Sequence, residues 1–371
     1  MIQNRKKTIL YIISSLVNQG PVQELHDIIA YLDHEKYDVN VIALKKISQN
    51  TLTDQFEKLP IRIIQIENIG NYNFYRLFKI IKSFVAQNQV EIIHSQCFRS
   101  LILSSFFRKQ LVCIHSIYIY PGLQAKSMNG KFIGIMSNFI TKYLIKKIHY
   151  PIACAKNVSD EFIINDKIKV DYIRNGIVPF QRNSGDKRDV KTKLCLDPDC
   201  RYFISIGRLS PEKNFLTLIR AFKRANIQNC KLIIIGDGNL MEVLKQGADE
   251  NIILPGFKKN INEYLAASDF YITASLTEGM ALSTIYAMSS GLPLLLSEIP
   301  PHKEIIELSG KEKIGILFNN EKHDSIVDAL QMMAEYPFYN ELSINVTNVF
   351  KSYFTAEEMS KSYQRLYDRN L

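Results

Sequence analysis

A carboxylate and a phenol lie eight positions apart in the stretch SLTEGMALSTIYAM. Glu278 directly precedes a glycine at the start of an apolar, helix-like segment, and Tyr286 projects from that segment. The first backbone N–H groups of a helix have no intrahelical partner and attract phosphate, so those of Ala281 to Ser283 are expected to be available for one. Because a carboxylate repels phosphate, Glu278 is expected to bond neutral hydroxyls such as those of a sugar. The plainer interpretation has Glu278 exposed and Tyr286 in the core.

Cations and glycines follow two other strand-like runs. Arg208 and Lys213 lie in IGRLSPEKN, and Gly236 and Gly238 lie in GDGNL. Cations beside a glycine-opened helix N-terminus form a phosphate site. Each cation, taken alone, could be a solvated charge in a surface loop. Because such residues recur at successive strand ends, a phosphate-binding site is favoured.

The elements that must position these residues alternate between short β-rich runs and longer helical patterns. This alternation over 371 residues predicts two doubly wound α/β domains with parallel sheets, whose ligands bind beyond the carboxyl ends of the strands. The polar, turn-rich stretch RNGIVPFQRNSGDKRD places the boundary near residues 177–190. The predicted strands are TILYIIS, YDVNVIAL, IRIIQI, VEIIHS, LVCIHSI and YPIACA, then YFISIGRL, CKLIIIGDG, NIILPGF, DFYITAS and LPLLLSE.

The segments GRLSPEKN, NINEYLAASDFYITAS and EGMALSTIYAMSSGLPLLLSEIPPHKE resemble retaining glycosyltransferases of family 4. Looser N-terminal matches, including SSLVNQGPVQELHDIIAYL and IIHSQCFRSLIL, extend the resemblance over nearly the whole chain. It implies the GT-B fold, with two Rossmann-like doubly wound domains facing across a cleft. Residues 1–178 would form the acceptor-side domain, onto which a C-terminal helix, 355–371, packs back. Residues 179–354 would form the nucleotide-sugar donor domain.

The resemblance also implies roles for individual residues. Arg208 and Lys213 would hold the donor diphosphate and stabilise the departing nucleoside diphosphate, and Glu278 would bond hydroxyls of the donor sugar. His115 would face the donor sugar near the reacting carbon, and Gly20 would let the backbone approach the diphosphate. Of these, His115, Arg208, Lys213 and Glu278 are the expected catalytic residues. The other expected donor-binding residues are Gly207, Gly236, Phe257, Gly279, Met280, Ala281, Leu282, Ser283 and Tyr286.

Two departures from the family pattern bear on nucleotide binding. Tyr286 stands where the family usually has a second Glu that bonds the ribose, and a phenol cannot accept two hydrogen bonds as a carboxylate does. Nucleotide binding is therefore expected to be weaker by about 1–2 kcal/mol or to differ in pose. The usual Gly-Gly pair is QGPV here, so Gly20 alone corresponds to it.

The reaction that the resemblance implies is transfer with retention at the anomeric carbon, without a metal. The single Asp-x-Asp, at 197–199, is better explained as a turn. No cofactor is expected beyond the nucleotide-sugar substrate, for which a UDP-sugar is the expected donor.

Positive charge is concentrated in the first half of the chain. Residues 1–180 hold 23 Lys/Arg and 13 Asp/Glu, and nine basic residues but no acidic one lie between Glu91 and Asp160. Such a one-sided field implies an anionic partner. Within it, GKFIGIMSNFITKYLIKKIHY predicts an amphipathic helix, either packed in the core with solvated lysines or lying on an anionic bilayer. Its apolar face would hold Phe132, Ile133, Met136, Phe139, Ile140, Tyr143 and Leu144, opposite Lys131, Asn138, Lys142 and Lys146.

The favoured function is a hexosyl- or N-acetylhexosaminyltransferase that builds bacterial capsule, O-antigen or a related polysaccharide on a lipid-diphosphate-linked or glycan acceptor. It would be cytoplasmic, with peripheral attachment to the inner face of the cell membrane. The alternatives are a catalytically silent GT-B subunit, favoured by Tyr286, and a nucleotide-sugar epimerase. A nucleic-acid binder is suggested only by the pI near 9.0. Structural roles and ligand contacts both remain open for His94 and His302.

Overall fold

The computed structural model describes residues 5–67, 73–121, 131–180, 186–280 and 282–369. The chain divides into two compact units. Unit 1 consists of Met1–Val178 with Ala356–Leu371, and unit 2 consists of Pro179–Thr355.

Unit 1 is built on seven parallel strands in the order β3-β2-β1-β4-β5-β6-β7. Apolar runs such as TILYII are buried on both faces of the sheet, as expected of strands covered by helices on both sides. The strands are β1 (Lys7–Ile13), β2 (Tyr37–Ala43), β3 (Arg62–Gln65), β4 (Ile92–Ser95), β5 (Val112–Ile117), β6 (Tyr150–Ala153) and β7 (Asp171–Tyr172). The helices are α1 (Gly20–Ala30), α2 (Thr53–Phe56), α3 (Phe74–Asn88), α4 (Phe98–Ser105), α5 (Lys131–Ile145) and α6 (Lys156–Asp166).

Unit 2 repeats this topology with six parallel strands in the order β10-β9-β8-β11-β12-β13. They are β8 (Arg201–Ile206), β9 (Cys230–Ile235), β10 (Ile252–Gly256), β11 (Phe270–Thr273), β12 (Leu294–Ser297) and β13 (Gly315–Phe318). The helices are α7 (Lys187–Lys193), α8 (Phe215–Ala225), α9 (Met241–Gly247), α10 (Ile261–Ala267), α11 (Leu282–Ser289), α12 (Pro300–Leu308), α13 (His323–Ala334) and α14 (Tyr339–Tyr353). In each sheet the strand order reverses once, between β1 and β4 and between β8 and β11, which is where doubly wound sheets bind ligands.

The last helix, α15 (Ala356–Asp368), packs on unit 1 and completes its core. The Tyr367 hydroxyl lies 2.8 Å from the Tyr11 hydroxyl and 2.9 Å from His94 Nδ1. The other ring nitrogen of His94, Nε2, lies 2.8 Å from Ser116 Oγ, which also lies 3.0 Å from the Tyr363 hydroxyl. With both ring nitrogens bonded and no exposed surface, His94 has a structural role.

All eleven predicted strands form, whereas β7 and β13 were not predicted. The segment PVQELHDIIAYLDHEKY has a helical pattern that predicts a helix beginning at Pro21, but the helix ends at Ala30. It ends there because the Asp33 side chain accepts hydrogen bonds from the Glu35 and Lys36 amides, forming a turn that leads directly into β2.

The amphipathic helix forms as α5, but its apolar face is not packed in the core, as one of the two alternatives expected. Met136, Phe139 and Tyr143 are exposed rather than in the core, with Phe139 69% exposed. Lys142, expected in solvent, is mostly buried because its ammonium bonds Asp166 at 2.7 Å and lies 4.7 Å from the Tyr120 ring centroid. The side chains of Lys131, Phe132 and Ile133 lie outside the described part of the chain. Within the described residues, none of the helices is long and apolar enough to cross a membrane.

Candidate functional site

The loops after β8 and β9 run side by side in backbone contact at the carboxyl edge of the unit 2 sheet. The Gly207 amide donates to the Ile235 carbonyl at 3.0 Å, and the Leu209 amide donates to the Asp237 carbonyl at 2.9 Å. A Cβ at Gly236 would lie 1.8 Å from the Gly207 carbonyl oxygen, so only glycine fits there. This close approach fixes the backbone on both sides of Arg208.

Of the two predicted cations, Arg208 precedes a short 3₁₀ turn, Pro211–Lys213, and Lys213 is the last residue of that turn. Arg208 is exposed, whereas the Lys213 side chain is only 17% exposed. The Lys213 stem crosses Gly207, where Cε would lie 3.3 Å from an added Cβ. A larger residue at Gly207 would therefore push against the lysine.

Lys213 Nζ forms an ion pair with Glu278 Oε1, and the Ser275 hydroxyl donates to the same oxygen at 2.8 Å. Glu278 is only 13% exposed. Lys213 follows β8 and Glu278 follows β11, which are the strands on either side of the point where the strand order reverses. The structure thus brings together two side chains, 65 positions apart, that were predicted separately.

The loop that carries Glu278 is held by polar side chains from the next two strands. The Ser275 carbonyl accepts hydrogen bonds from Ser297 Oγ at 2.7 Å and Asn320 Nδ2 at 3.0 Å. Sequence reasoning missed these residues, and the available signal was only a small polar residue at each strand end.

His302, on α12, bonds Ser297, one of the two residues that hold the Glu278 loop. Its Nδ1 lies 2.9 Å from the Ser297 carbonyl oxygen, which can only accept, so Nδ1 carries the proton. Nε2 is then an acceptor, and it is buried with no hydrogen-bond partner among the described residues. Burial lowers the pKa of His302 to about 4, so the ring is neutral at pH 7.

The expected phosphate-binding turn leads into α11, which begins at Leu282. Ala281 lies outside the described residues. Leu282, Ser283 and Gly279 are half-buried and Met280 is buried, while Ser283 Oγ accepts a hydrogen bond from the buried Tyr271 hydroxyl at 3.0 Å.

Tyr286 and Phe257 differ in their surroundings. The Tyr286 ring stacks on Phe180, with ring centroids 4.9 Å apart and planes within 9°. Phe257 directly follows β10 and is 56% exposed. Phe180, at the start of unit 2, was not anticipated from sequence because it lies over one hundred positions away.

Gly20 and His115 lie in unit 1. Gly20 is the first residue of α1, followed by Pro21. His115 lies inside β5 rather than at its end, since the strand continues two residues further. Ser95 Oγ bonds His115 Nδ1 at 2.9 Å, and no described residue bonds Nε2. Burial lowers the pKa of His115 to about 4. The donor contacts predicted for these two residues stay predictions.

The turn at Asp197–Asp199 is confirmed, because the Asp199 amide donates to Asp197 Oδ1 at 2.9 Å. Over the described ranges, no group of three or more His, Cys, Asp or Glu residues could hold a metal ion.

Comparison with known proteins agrees with this architecture. Residues 186–347 match the family model "Glycosyl transferases group 1". The chain is 25% identical over 359 residues to the Escherichia coli UDP-Gal:alpha-D-GlcNAc-diphosphoundecaprenol alpha-1,3-galactosyltransferase, covering 91% of this chain and 90% of the relative. It is 24% identical over 310 residues to the Streptococcus pneumoniae alpha-monoglucosyldiacylglycerol synthase, covering 76% and 69%. Anabaena HepE, solved in complex with UDP-glucose, has a TM-score of 0.81 at 16% identity, with 98% and 99% coverage.

Fold, site and comparisons together define a glycosyltransferase with the GT-B fold.

Proposed function

We propose that the chain transfers a sugar from a UDP-sugar to a lipid-diphosphate-linked acceptor during bacterial surface polysaccharide synthesis, with retention and without a metal. The observation that carries this proposal is the Lys213–Glu278 pair beside Arg208, at the carboxyl edge of the unit 2 sheet where the strand order reverses.

The charges suit a sugar diphosphate. Lys213 and exposed Arg208 offer positive charge for the diphosphate and for the nucleoside diphosphate that departs. Glu278 bonds neutral donors such as sugar hydroxyls, as it already bonds the Ser275 hydroxyl. Donor binding would therefore replace the Lys213–Glu278 ion pair with two interactions. Lys213 would bind the donor phosphate, and Glu278 would accept hydrogen bonds from the sugar hydroxyls.

Retention is proposed from the resemblance to retaining glycosyltransferases. The role assigned to Glu278 is to bond sugar hydroxyls and not to attack the anomeric carbon. Displacement from the same face, assisted by the leaving phosphate, needs no enzyme nucleophile.

The acceptor and donor classes come from the relatives. The Escherichia coli relative is named for UDP-galactose and a GlcNAc-diphosphoundecaprenol acceptor and matches over most of both chains. The Streptococcus relative is named for a lipid product, a glucosyldiacylglycerol.

The exposed face of α5 supports attachment to an anionic membrane. Ile135, Met136, Phe139 and Tyr143 present apolar surface, and exposed Lys146 and Lys147 follow the helix end. An amphipathic helix with apolar residues beside lysines lies on anionic lipid surfaces. Such attachment would bring the enzyme to a lipid-linked acceptor at the inner face of the membrane.

The site is tested by donor turnover and by UDP binding. Transfer from UDP-galactose, UDP-glucose and UDP-N-acetylglucosamine to GlcNAc-diphosphoundecaprenol is measured, with product configuration determined by NMR. Lys213→Ala is expected to weaken UDP binding about tenfold or more, since it removes a charged hydrogen bond. Glu278→Gln is expected to bind UDP at least as tightly as the wild type, because the competing carboxylate is gone, and to lose most transfer.

A matched control is Lys245→Ala, which breaks the exposed Lys245–Glu242 pair on α9 and should change neither quantity. Wild-type transfer in Lys213→Ala or Glu278→Gln would contradict the site assignment. Interconversion of donor sugars without acceptor would indicate an epimerase instead, and an inverted product would exclude retention.

Membrane attachment is tested by co-sedimentation with vesicles containing anionic lipid at low salt. Lys146→Gln/Lys147→Gln and Phe139→Ser are each expected to reduce binding several-fold. Lys58→Gln/Lys82→Gln, which removes two exposed charges elsewhere in unit 1, is the charge-matched control. Equal binding by all variants would refute the α5 surface.

A further inference from the structure

The chain passes between the two units twice. One connection runs from Val178 to Pro179 and the other from Thr355 to Ala356. The Ala356 amide donates to the Ile177 carbonyl at 2.8 Å, within unit 1. The two connections therefore lie side by side where they meet unit 1.

The first connection is held on helix α11 as soon as it enters unit 2. Phe180, the second residue of that unit, stacks its ring on Tyr286, with ring centroids 4.9 Å apart and planes within 9°. The Phe180 amide donates to Ser289 Oγ at 2.9 Å, about one turn further along the same helix. A parallel stack and a hydrogen bond thus hold both the ring and the backbone of Phe180 on α11.

The second connection follows a helix that also contacts α11. Helix α14 packs against α11 and ends at Tyr353. Phe354 comes next and is fully buried, and Thr355 is the last residue of unit 2. Helix α11 therefore contacts Phe180, directly after one connection, and α14, shortly before the other.

Helix α11 is also the helix expected to bind the nucleotide. It follows Glu278 and the glycine turn, and it carries Tyr286 where the family usually has a Glu for the ribose. A carboxylate has no ring to stack on Phe180. The aromatic pair is therefore part of the departure of this chain from the family pattern.

We propose that the stack of Phe180 on Tyr286 couples nucleotide binding at α11 to both connections between the units. This rests on the proposed donor site. A nucleotide that orders the start of α11 also orders Tyr286, and the stack extends that order to Phe180. Coupling between two sites is reciprocal, so loss of the stack must weaken nucleotide binding. Phe180 is thus a positioning residue, which acts on the nucleotide through Tyr286.

Calorimetric titration with UDP and hydrogen exchange of the amides at 173–180 and 350–356 test this coupling. Saturating UDP should slow exchange in both segments of the wild type. Phe180→Ala should bind UDP about two- to tenfold more weakly, the usual effect of losing an aromatic pair. It should also lose the slowing of exchange, even when UDP is saturating.

Matched substitutions separate the ring of Tyr286 from its hydroxyl. Tyr286→Phe keeps the stack and should keep the slowing by saturating UDP, whereas Tyr286→Leu removes the stack and should lose it. Phe338→Ala removes a ring of unit 2 that is 60% exposed, and it should match the wild type in both measurements. Phe180→Leu keeps apolar cover on α11 and replaces Phe180→Ala if that variant does not fold.

Two results would overturn the proposal. Full slowing in Phe180→Ala at saturating UDP, with only a weaker affinity, would make Phe180 a direct ligand contact. Unchanged exchange of either segment in the wild type would show that binding does not reach that connection.

The experiment needs neither acceptor nor turnover, so a chain that binds UDP without transferring sugar still tests the coupling. If UDP does not bind, GDP and dTDP take its place. Failure of all three nucleotides to bind would overturn both the coupling and the proposed donor site.

Discussion

Gly236→Ala tests whether the backbone contact between the β8 and β9 loops is what positions Arg208. The added Cβ would lie 1.8 Å from the Gly207 carbonyl oxygen and 2.9 Å from its carbon, and the φ of +153° already favours glycine. Since real Cβ atoms come no closer than 3.0 Å to such atoms, the loops must separate by about 1 Å.

That separation breaks two backbone hydrogen bonds, from Gly207 to Ile235 and from Leu209 to Asp237. At about 0.5–1.5 kcal/mol each, with about 1–3 kcal/mol for overpacking, the free energy of unfolding should fall by roughly 2–6 kcal/mol. For a domain of this size that corresponds to a melting temperature lower by roughly 10 °C. UDP affinity should fall as well, because Arg208 lies between the two broken bonds.

Two other glycines provide controls in the same unit. Gly310→Ala has φ of +62° but open space around it, so only the left-handed backbone cost of about 1–2 kcal/mol applies. Gly247→Ala, at the end of α9, meets only Ile219 at 3.8 Å and should be neutral or stabilising. Thermal unfolding and calorimetric UDP titration compare all three. Stability of Gly236→Ala equal to that of Gly247→Ala would refute the close-contact argument.

Three further predictions concern buried polar groups. Burial lowers the pKa of His94 to about 3 and the pKa values of His115 and His302 to about 4. As the pH falls below about 6.5, these histidines become protonated in the unfolded chain before they do in the folded protein. The free energy of unfolding should therefore be constant above about pH 6.5 and fall as the pH drops towards 4. Denaturant unfolding at pH 7 and 4.5 checks this, and an equal pH dependence in His302→Gln would contradict the role of His302. Tyr367→Phe removes hydrogen bonds to Tyr11 and His94 and should cost about 1–3 kcal/mol, whereas exposed Tyr75→Phe should cost nothing measurable. Lys142→Ala leaves the Asp166 carboxylate, 16% exposed, without its ammonium and should lower the melting temperature, while exposed Lys146→Ala should not.

The fold followed from the sequence because its signals are local. Apolar runs such as those of β8 and β9, separated by helical periodicities, predict parallel doubly wound sheets without knowledge of any contact. The two strands that escaped prediction, β7 and β13, have two and four residues. Pairing with β6, rather than a local pattern, defines the two-residue β7. Several predicted strands are as short as β13, so its length does not explain why it was missed.

The residues of the candidate site were predicted from the sequence, but the contacts between them were not. Arg208, Lys213 and Glu278 stood out because charged residues beside glycines at strand ends are unusual. Their pairing was not predictable, since Lys213 and Glu278 meet only because β8 and β11 are neighbours in the sheet. Tyr286 was predicted to offer its hydroxyl to a ribose, whereas the structure shows its ring face stacked on Phe180. The ribose contact stays a prediction.

The sequence by itself determined the alternation of strands and helices, the glycines at the strand ends and the excess of basic residues in the first half. Only the tertiary structure decided which side chains meet, because partners far apart along the chain are brought together by strand order and helix packing. It turned the apolar face of α5 outward, since Lys142 finds Asp166 and Tyr120 inside.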